Sequence, residues 1–137
     1  MKKSLLLTAL LLTLNSTTLT ANEELIQNGS FENFTINKDY GKWKLVNFDN
    51  WSGDGEVWNH QIGRVATKGT YKAELDVGRN SVNSLTQTVT TVSDTSYTLS
   101  LDAYARTEGS SDFKLLIDGQ EVLTVTPGRY WTKYGIY

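Results

Sequence analysis

The chain contains no cysteine, and this one absence excludes several chemistries. Without thiols there is no disulfide framework, no cysteine nucleophile and no iron–sulfur or cysteine–zinc site. His60 is the only histidine, so a two-histidine metal site is excluded as well. What remains is rich in aromatic residues, with 4 tryptophans, 7 tyrosines and 4 phenylalanines.

Positive charge is also scarce. The formal net charge is -2, and the sequence has no cluster of lysine or arginine residues that would neutralise phosphate groups. Nucleic acid is therefore not expected as a partner. The chain has 137 residues, which is enough for one small domain.

The first residues have the pattern of a bacterial secretory signal peptide. Lys2 and Lys3 form a short basic region, Leu5–Leu14 is mostly apolar, and a polar stretch ends at Ala21. The apolar run is well below the ~20 residues that span a bilayer, and no cysteine follows it to accept a lipid. We expect a signal peptide at residues 1–21 and a secreted domain at residues 22–137, with no membrane span.

Downstream of this leader, apolar and polar residues alternate in short segments separated by turn-forming residues. The clearest segment runs from Tyr97 to Arg106, where Leu99 and Leu101 lie on the apolar face. Asp118-Gly119 is typical of a two-residue hairpin turn. No segment shows a sustained helical stripe. The pattern predicts an all-β fold, a two-sheet antiparallel β-sandwich or jelly roll.

Several short motifs are distributed over nearly the whole mature chain. The motifs are Glu24-Leu-Ile-Gln-Asn-Gly-Ser-Phe-Glu32, Trp51, Glu56-Val-Trp58, Ala73-Glu-Leu-Asp76, Leu85-Thr-Gln87, Tyr97-Thr-Leu-Ser-Leu101, Ile117-Asp-Gly119 and Trp131. In this order and spacing they resemble the galactose-binding-like jelly-roll domains. Within that superfamily the chain is most similar to secreted bacterial and plant domains described as carbohydrate-binding or cell-wall-associated.

The resemblance implies two further features. Similar domains hold a structural calcium ion near the N-terminal strand, where Glu32 would be a ligand; the alternative is that Glu32 is a solvated turn residue. Similar domains also continue beyond the strand at 129–137 through at least one more strand. We therefore expect a sandwich that lacks its final strand, either in a truncated product or with that strand supplied from elsewhere, and an unpaired sheet edge.

Sugar binding needs an aromatic platform flanked by polar side chains that hydrogen bond to the hydroxyl groups. Trp51 lies in a glycine-rich loop, where exposure is expected, whereas Trp131 is expected to pack inside the domain. The residues predicted to bind carbohydrate are Trp51, Trp58, His60, Arg106 and Tyr104.

The favoured function is a secreted, non-catalytic, lectin-like domain that binds a polysaccharide or a cell-surface glycan. The alternative is a structural or adhesive extracellular module that binds protein partners. A small glycan hydrolase is a weaker third option, because close carboxylate pairs arise by chance among 15 acidic residues. A serine hydrolase is disfavoured because the chain has no G-x-S-x-G elbow. Convergence of exposed aromatics with arginine or histidine in one groove would favour the lectin.

Overall fold

Every regular element in the described part of the chain is a β-strand. The computed structural model describes residues 5–14, 24–59, 63–75, 83–106 and 112–136. All pairs of neighbouring strands are antiparallel. The all-β, antiparallel part of the sequence prediction is therefore confirmed.

Nine strands follow one another along the described residues. They are β1 (Leu5–Leu14), β2 (Phe34–Asp39), β3 (Trp43–Phe48), β4 (Gly55–Asn59), β5 (Tyr71–Glu74), β6 (Tyr97–Ala105), β7 (Phe113–Ile117), β8 (Gln120–Val125) and β9 (Thr132–Ile136). Seven of them form one sheet in the order β2-β3-β4-β5-β1-β6-β9, and β7 pairs with β8 in a separate hairpin. The larger sheet is thus open, with β2 and β9 as its edges.

In the described part of the chain, a hydrophobic core lies against one face of the larger sheet. Its members are buried apolar side chains from four strands of that sheet, from one loop and from the β7–β8 hairpin. They are Phe31, Val46, Phe48, Val57, Ala73, Leu101, Ala103, Phe113 and Val125. The hairpin therefore shares the core of the larger sheet, and burial of these side chains supplies the main driving force for folding.

The predicted hairpin turn at Asp118-Gly119 is present. Both residues have positive φ, 50° and 76°, and Ile117 pairs with Gln120 directly across the turn. Two consecutive left-handed residues match the twist of the flanking strands, and glycine adopts that conformation without strain.

Leu5–Leu14, which the sequence assigns to the leader, lies in the interior of the larger sheet. The segment forms β1, between β5 on one side and β6 on the other. It pairs with β6 from Leu5 opposite Ala105 to Leu14 opposite Tyr97, with one irregularity between Leu7 and Ala9. In the structure of the whole chain this segment is therefore a sheet strand.

Gly119→Val tests the turn. No atom lies within 4 Å of the position that a Cβ would occupy, so the cost comes from the positive φ alone. We expect a loss of about 1 kcal/mol or more of folding stability, measured by thermal or urea unfolding. Gly128→Val is the matched control, because Gly128 also has open space but no positive φ. Equal melting temperatures for the two variants would contradict the assigned turn.

Candidate functional site

The two faces of the larger sheet differ in chemistry because strand register divides their side chains. Register partners share a face, and neighbours along a strand alternate between faces. Val57 pairs with Ala73, and both belong to the core. Trp58 pairs with Trp43 on one side and with Lys72 on the other, so these three side chains share the opposite face. We call this opposite face the site face.

A cavity of about 330 Å³ opens on the site face, at the ends of β4, β5 and β6. Its volume lies within the range of small-molecule sites. Arginines, a lysine and two aromatic rings dominate its lining. The lining residues are Trp58, Gly63, Arg64, Lys72, Tyr104, Ala105, Arg106 and Arg129.

Two buried charged residues lie at this cavity: Lys72 lines it, and Glu74 lies beside it on the same strand. Lys72 and Glu74 are 0% and 1% exposed, although both are ionisable. The Lys72 ammonium donates to the backbone carbonyl of Arg64 at 2.6 Å, and Arg106 Nη2 donates to Glu74 Oε1 at 3.0 Å. Burial lowers the pKa of Lys72, an effect that the charge of Glu74 opposes. Because buried charges are costly without partners, these contacts fix the positions of the side chains.

Trp58 is held at the rim of the cavity by contacts on its edge and its face. The indole Nε1 donates to Glu56 Oε1 at 2.8 Å. The Arg106 guanidinium carbon lies 4.8 Å from the ring centroid, a cation–π contact. Arg106 thus joins the aromatic ring of Trp58 to the buried carboxylate of Glu74.

The far wall combines Arg64 with aromatic rings. Arg64 Nε donates to the carbonyl of Arg129, and its guanidinium lies 4.0 Å from the centroid of Tyr130. Tyr104 is buried, which raises the pKa of its phenol. Trp131 packs edge-to-face on Tyr104 at 4.3 Å between centroids. The sequence predicts that Trp131 packs inside the domain, but in the structure it is half-buried, lies outside the hydrophobic core and packs against the buried ring of Tyr104.

Three of the five predicted carbohydrate-binding residues come together in this cavity. Trp58, Tyr104 and Arg106 all line it, although they come from β4 and from the end of β6. His60 lies outside the described residues. Trp51 does not line the cavity. Its indole is half-buried against Phe31, 5.3 Å between centroids, and donates to the carbonyl of Asn28 at 3.2 Å.

Four charged residues at this site were not among the predicted ones: Lys72, Glu74, Arg64 and Arg129. The sequence carried a signal for Lys72, because this residue alternates with apolar neighbours in a strand. In the structure Lys72 pairs with Trp58. Arg64 and Arg129 come from loops that are 65 residues apart in the sequence and meet only through folding. No local pattern brings such loops together.

Glu32 has a backbone-binding role in the structure. Its Oε1 accepts hydrogen bonds from the amides of Thr70 and Tyr71, at 2.9 and 2.8 Å. These bonds tie the loop after Phe31 to the start of β5. Calcium needs six or more oxygen ligands, and no cluster of three acidic or histidine side chains occurs within the described ranges. Calcium binding at Glu32 stays a prediction.

Comparisons with known proteins gave no assignment. No family model matches the chain, and neither curated proteins nor solved structures gave a significant match. In the part of the chain that the structure describes, no helix has the length and apolarity needed to cross a membrane. The function proposed below therefore rests on the geometry of the cavity.

Glu32→Ala tests the backbone-binding role against the calcium role. Loss of two hydrogen bonds to a carboxylate should destabilise the fold by about 2 kcal/mol, and Glu32→Gln, which keeps one acceptor oxygen, by less. Thermal unfolding is followed in calcium and in a chelator. If Glu32 only binds the backbone, the variant should lose the same amount of stability in calcium and in the chelator. A loss seen only in calcium would instead identify Glu32 as a calcium ligand.

Proposed function

We propose that the protein is an exported, non-catalytic, lectin-like domain and that the cavity on its site face binds carbohydrate. The fold we propose is the galactose-binding-like jelly-roll sandwich that the sequence motifs resemble. The observation that carries the proposal is convergence: the half-buried Trp58 meets Arg64, Arg106 and Arg129 in one cavity, which the buried Tyr104 also lines. An accessible indole among three guanidinium groups supports a binding module over a structural one.

The chemistry of the cavity suits a sugar ring. The half-buried Trp58 supplies an apolar surface on which the C–H groups of a pyranose can stack. Guanidinium groups donate paired hydrogen bonds in a fixed, planar geometry, which matches neighbouring oxygens on a ligand. The contact between Arg106 and Glu74 orients one of these donors before a ligand arrives.

The positive charge of the cavity lining narrows the class of ligand. Four cationic residues line the cavity, whereas the acidic residues beside it, Glu56 and Glu74, bond to Trp58 and Arg106. Arginine and lysine donate hydrogen bonds and accept none. A glycan that carries carboxylate or sulfate groups would supply the acceptors and the negative charge, so we infer that acidic glycans bind more tightly than neutral ones.

A longer ligand would find a second stacking position next to the cavity. Trp43 pairs with Trp58 across β3 and β4, so both indoles lie on the site face. Tyr40 stacks on Trp43 at 3.9 Å between centroids. This row of aromatic side chains favours a polysaccharide over a single sugar.

The carboxylates near the cavity are bonded to other side chains, which favours binding without hydrolysis. A glycosidase uses two carboxyl groups, one on each side of the scissile bond. Glu74 is 1% exposed and bonded to Arg106, and Glu56 is 3% exposed and bonded to Trp58. Neither is placed to reach a sugar in the cavity.

A protein-binding function is the second candidate, and one observation favours it. Leu116, Ile117 and Val122 on the β7–β8 hairpin are 52%, 47% and 42% exposed. Exposed apolar side chains grouped on one hairpin are typical of contact surfaces. The hairpin therefore remains the place where an adhesive module would bind another protein.

Trp58→Ala is the principal test of the sugar site. The parent and variants are screened against acidic and neutral polysaccharides, and the tightest ligand is then titrated. We expect Trp58→Ala to remove about 1 to 3 kcal/mol of binding, by analogy with stacking of bases on aromatic side chains. Trp51→Ala should instead lower the melting temperature and leave binding by the folded protein unchanged, because Trp51 packs on Phe31.

Two exposed cations provide a matched pair for the charge argument. Arg129 lines the cavity, whereas Lys133 lies on β9 and does not. Arg129→Gln should weaken binding of an acidic glycan, and the affinity of this variant should fall less steeply with salt concentration than that of the parent. Lys133→Gln should have little effect on either quantity. Equal affinities for Trp58→Ala and the parent, or equal effects of the two charge variants, would rule this cavity out as the site.

Export is tested separately, by N-terminal sequencing. The basic start, the apolar run and Ala21 predict that protein recovered from the periplasm or medium begins at or near Asn22. Met1 retained on exported protein would overturn the leader assignment without bearing on the sugar site.

A further inference from the structure

The interior of the larger sheet contains a groove that one segment fills in the whole chain. β1 pairs with β6 at nine positions and with β5 at two, Leu6 opposite Glu74 and Leu7 opposite Ala73. Both neighbours run antiparallel to it. We call the space between β5 and β6 the strand groove.

Removal of the leader would open this groove. This step rests on the proposed export, because Leu5–Leu14 is the apolar run of the predicted signal peptide. The groove separates β5 and β6 by two strand spacings, about 9.5 Å, so they cannot bond to each other without moving. Backbone amides and carbonyls along both strands would lose their partners, which is unfavourable wherever water cannot replace them.

The walls of the groove define what fits between them. Along β6, Leu99, Leu101 and Ala103 are 8%, 5% and 0% exposed. Register partners share a face, so an occupant needs apolar residues at the positions opposite these three. Leu12, Leu10 and Leu7 hold those register positions in β1. The whole run has no charged residue.

We propose that the strand groove is a binding site for an extended, uncharged, leucine-rich segment of a second polypeptide. Leu5–Leu14 is the occupant that the chain itself carries until processing removes it. The mode is β-strand addition, in which main-chain hydrogen bonds give affinity and alternate side-chain positions give specificity. Unlike addition at an outer edge, the incoming strand pairs with β6 along its length and also with β5 at the positions of Leu6 and Leu7.

The occupant also sets the geometry of the sugar cavity. Leu6 is the register partner of both Glu74 on β5 and Tyr104 on β6. Arg106, which follows β6, bonds to Glu74 across the groove at 3.0 Å. A strand in the groove therefore holds the two walls of the cavity at a fixed separation.

Disulfide trapping in the uncut chain tests whether Leu5–Leu14 fills the groove. The protein has no cysteine, so two introduced thiols have no competitors. Leu11→Cys with Ser100→Cys places the pair at facing register positions and should cross-link on mild oxidation. Leu11→Cys with Lys133→Cys, across β6, should not. Absence of the first cross-link, or equal yields of both, would overturn the proposal.

Strand exchange tests the groove as an acceptor. A specific protease site replaces residues 15–21 of the full chain, which makes the result independent of export. The protein is cut, passed through mild denaturation and refolding, and mixed with a fluorescent peptide of residues 1–14, whose two lysines aid solubility. We expect saturable binding to the cut chain and at least about tenfold less to the uncut chain, where the tethered segment competes.

A proline-substituted peptide is the matched control. Leu7→Pro removes the amide at a position that pairs with both β5 and β6, so binding should fall at least about tenfold. Equal binding of the two peptides would show adsorption to apolar surface and overturn the proposal. Failure of the cut chain to bind peptide, whether because it closes its own groove or because it dimerises through it, would overturn it as well.

Discussion

The register between β4 and β5 is the constraint on which both the core and the candidate site depend. It sets Val57 against Ala73 on one face and Trp58 against Lys72 on the other. Because side chains alternate along a strand, a slip of one residue would exchange these faces. The ion pair between the exposed Arg106 and the buried Glu74 adds a second constraint on β5, since a slip of β5 would separate this carboxylate from Arg106.

The proposed binding depends on the strand that lies between β5 and β6. The walls of the cavity come from both sides of that strand, and Arg106 reaches across to Glu74. A change in what lies in the groove would therefore change the spacing of the cationic and aromatic side chains. Under the proposed function, a binding-competent cavity and a filled groove would be two aspects of one conformation.

The features predicted correctly from the sequence are those that neighbouring residues specify. Alternation from Tyr97 to Ala105 and the Asp118-Gly119 turn became β6 and the β7–β8 turn, because neighbouring residues alone specify them. Non-local features were not predicted. Trp51 looked exposed from its glycine-rich surroundings, yet it packs on Phe31, which precedes it by 20 residues. Likewise, the hydrophobicity of Leu5–Leu14 predicted a leader. Its position inside the sheet depends on pairing with β5 and β6, which are distant in the sequence, and was therefore not predicted.

The exposed edge formed by β2 has a consequence for the behaviour of the protein in concentrated solution. Five of its six residues are exposed, Lys38 and Asp39 place charges of both signs there, and an irregularity interrupts the pairing between Ile36 and Lys38. Charges and bulges on an edge strand hinder addition of further strands from other molecules. In crowded solution, these features of β2 disfavour edge-to-edge stacking of this protein into fibrils through that strand.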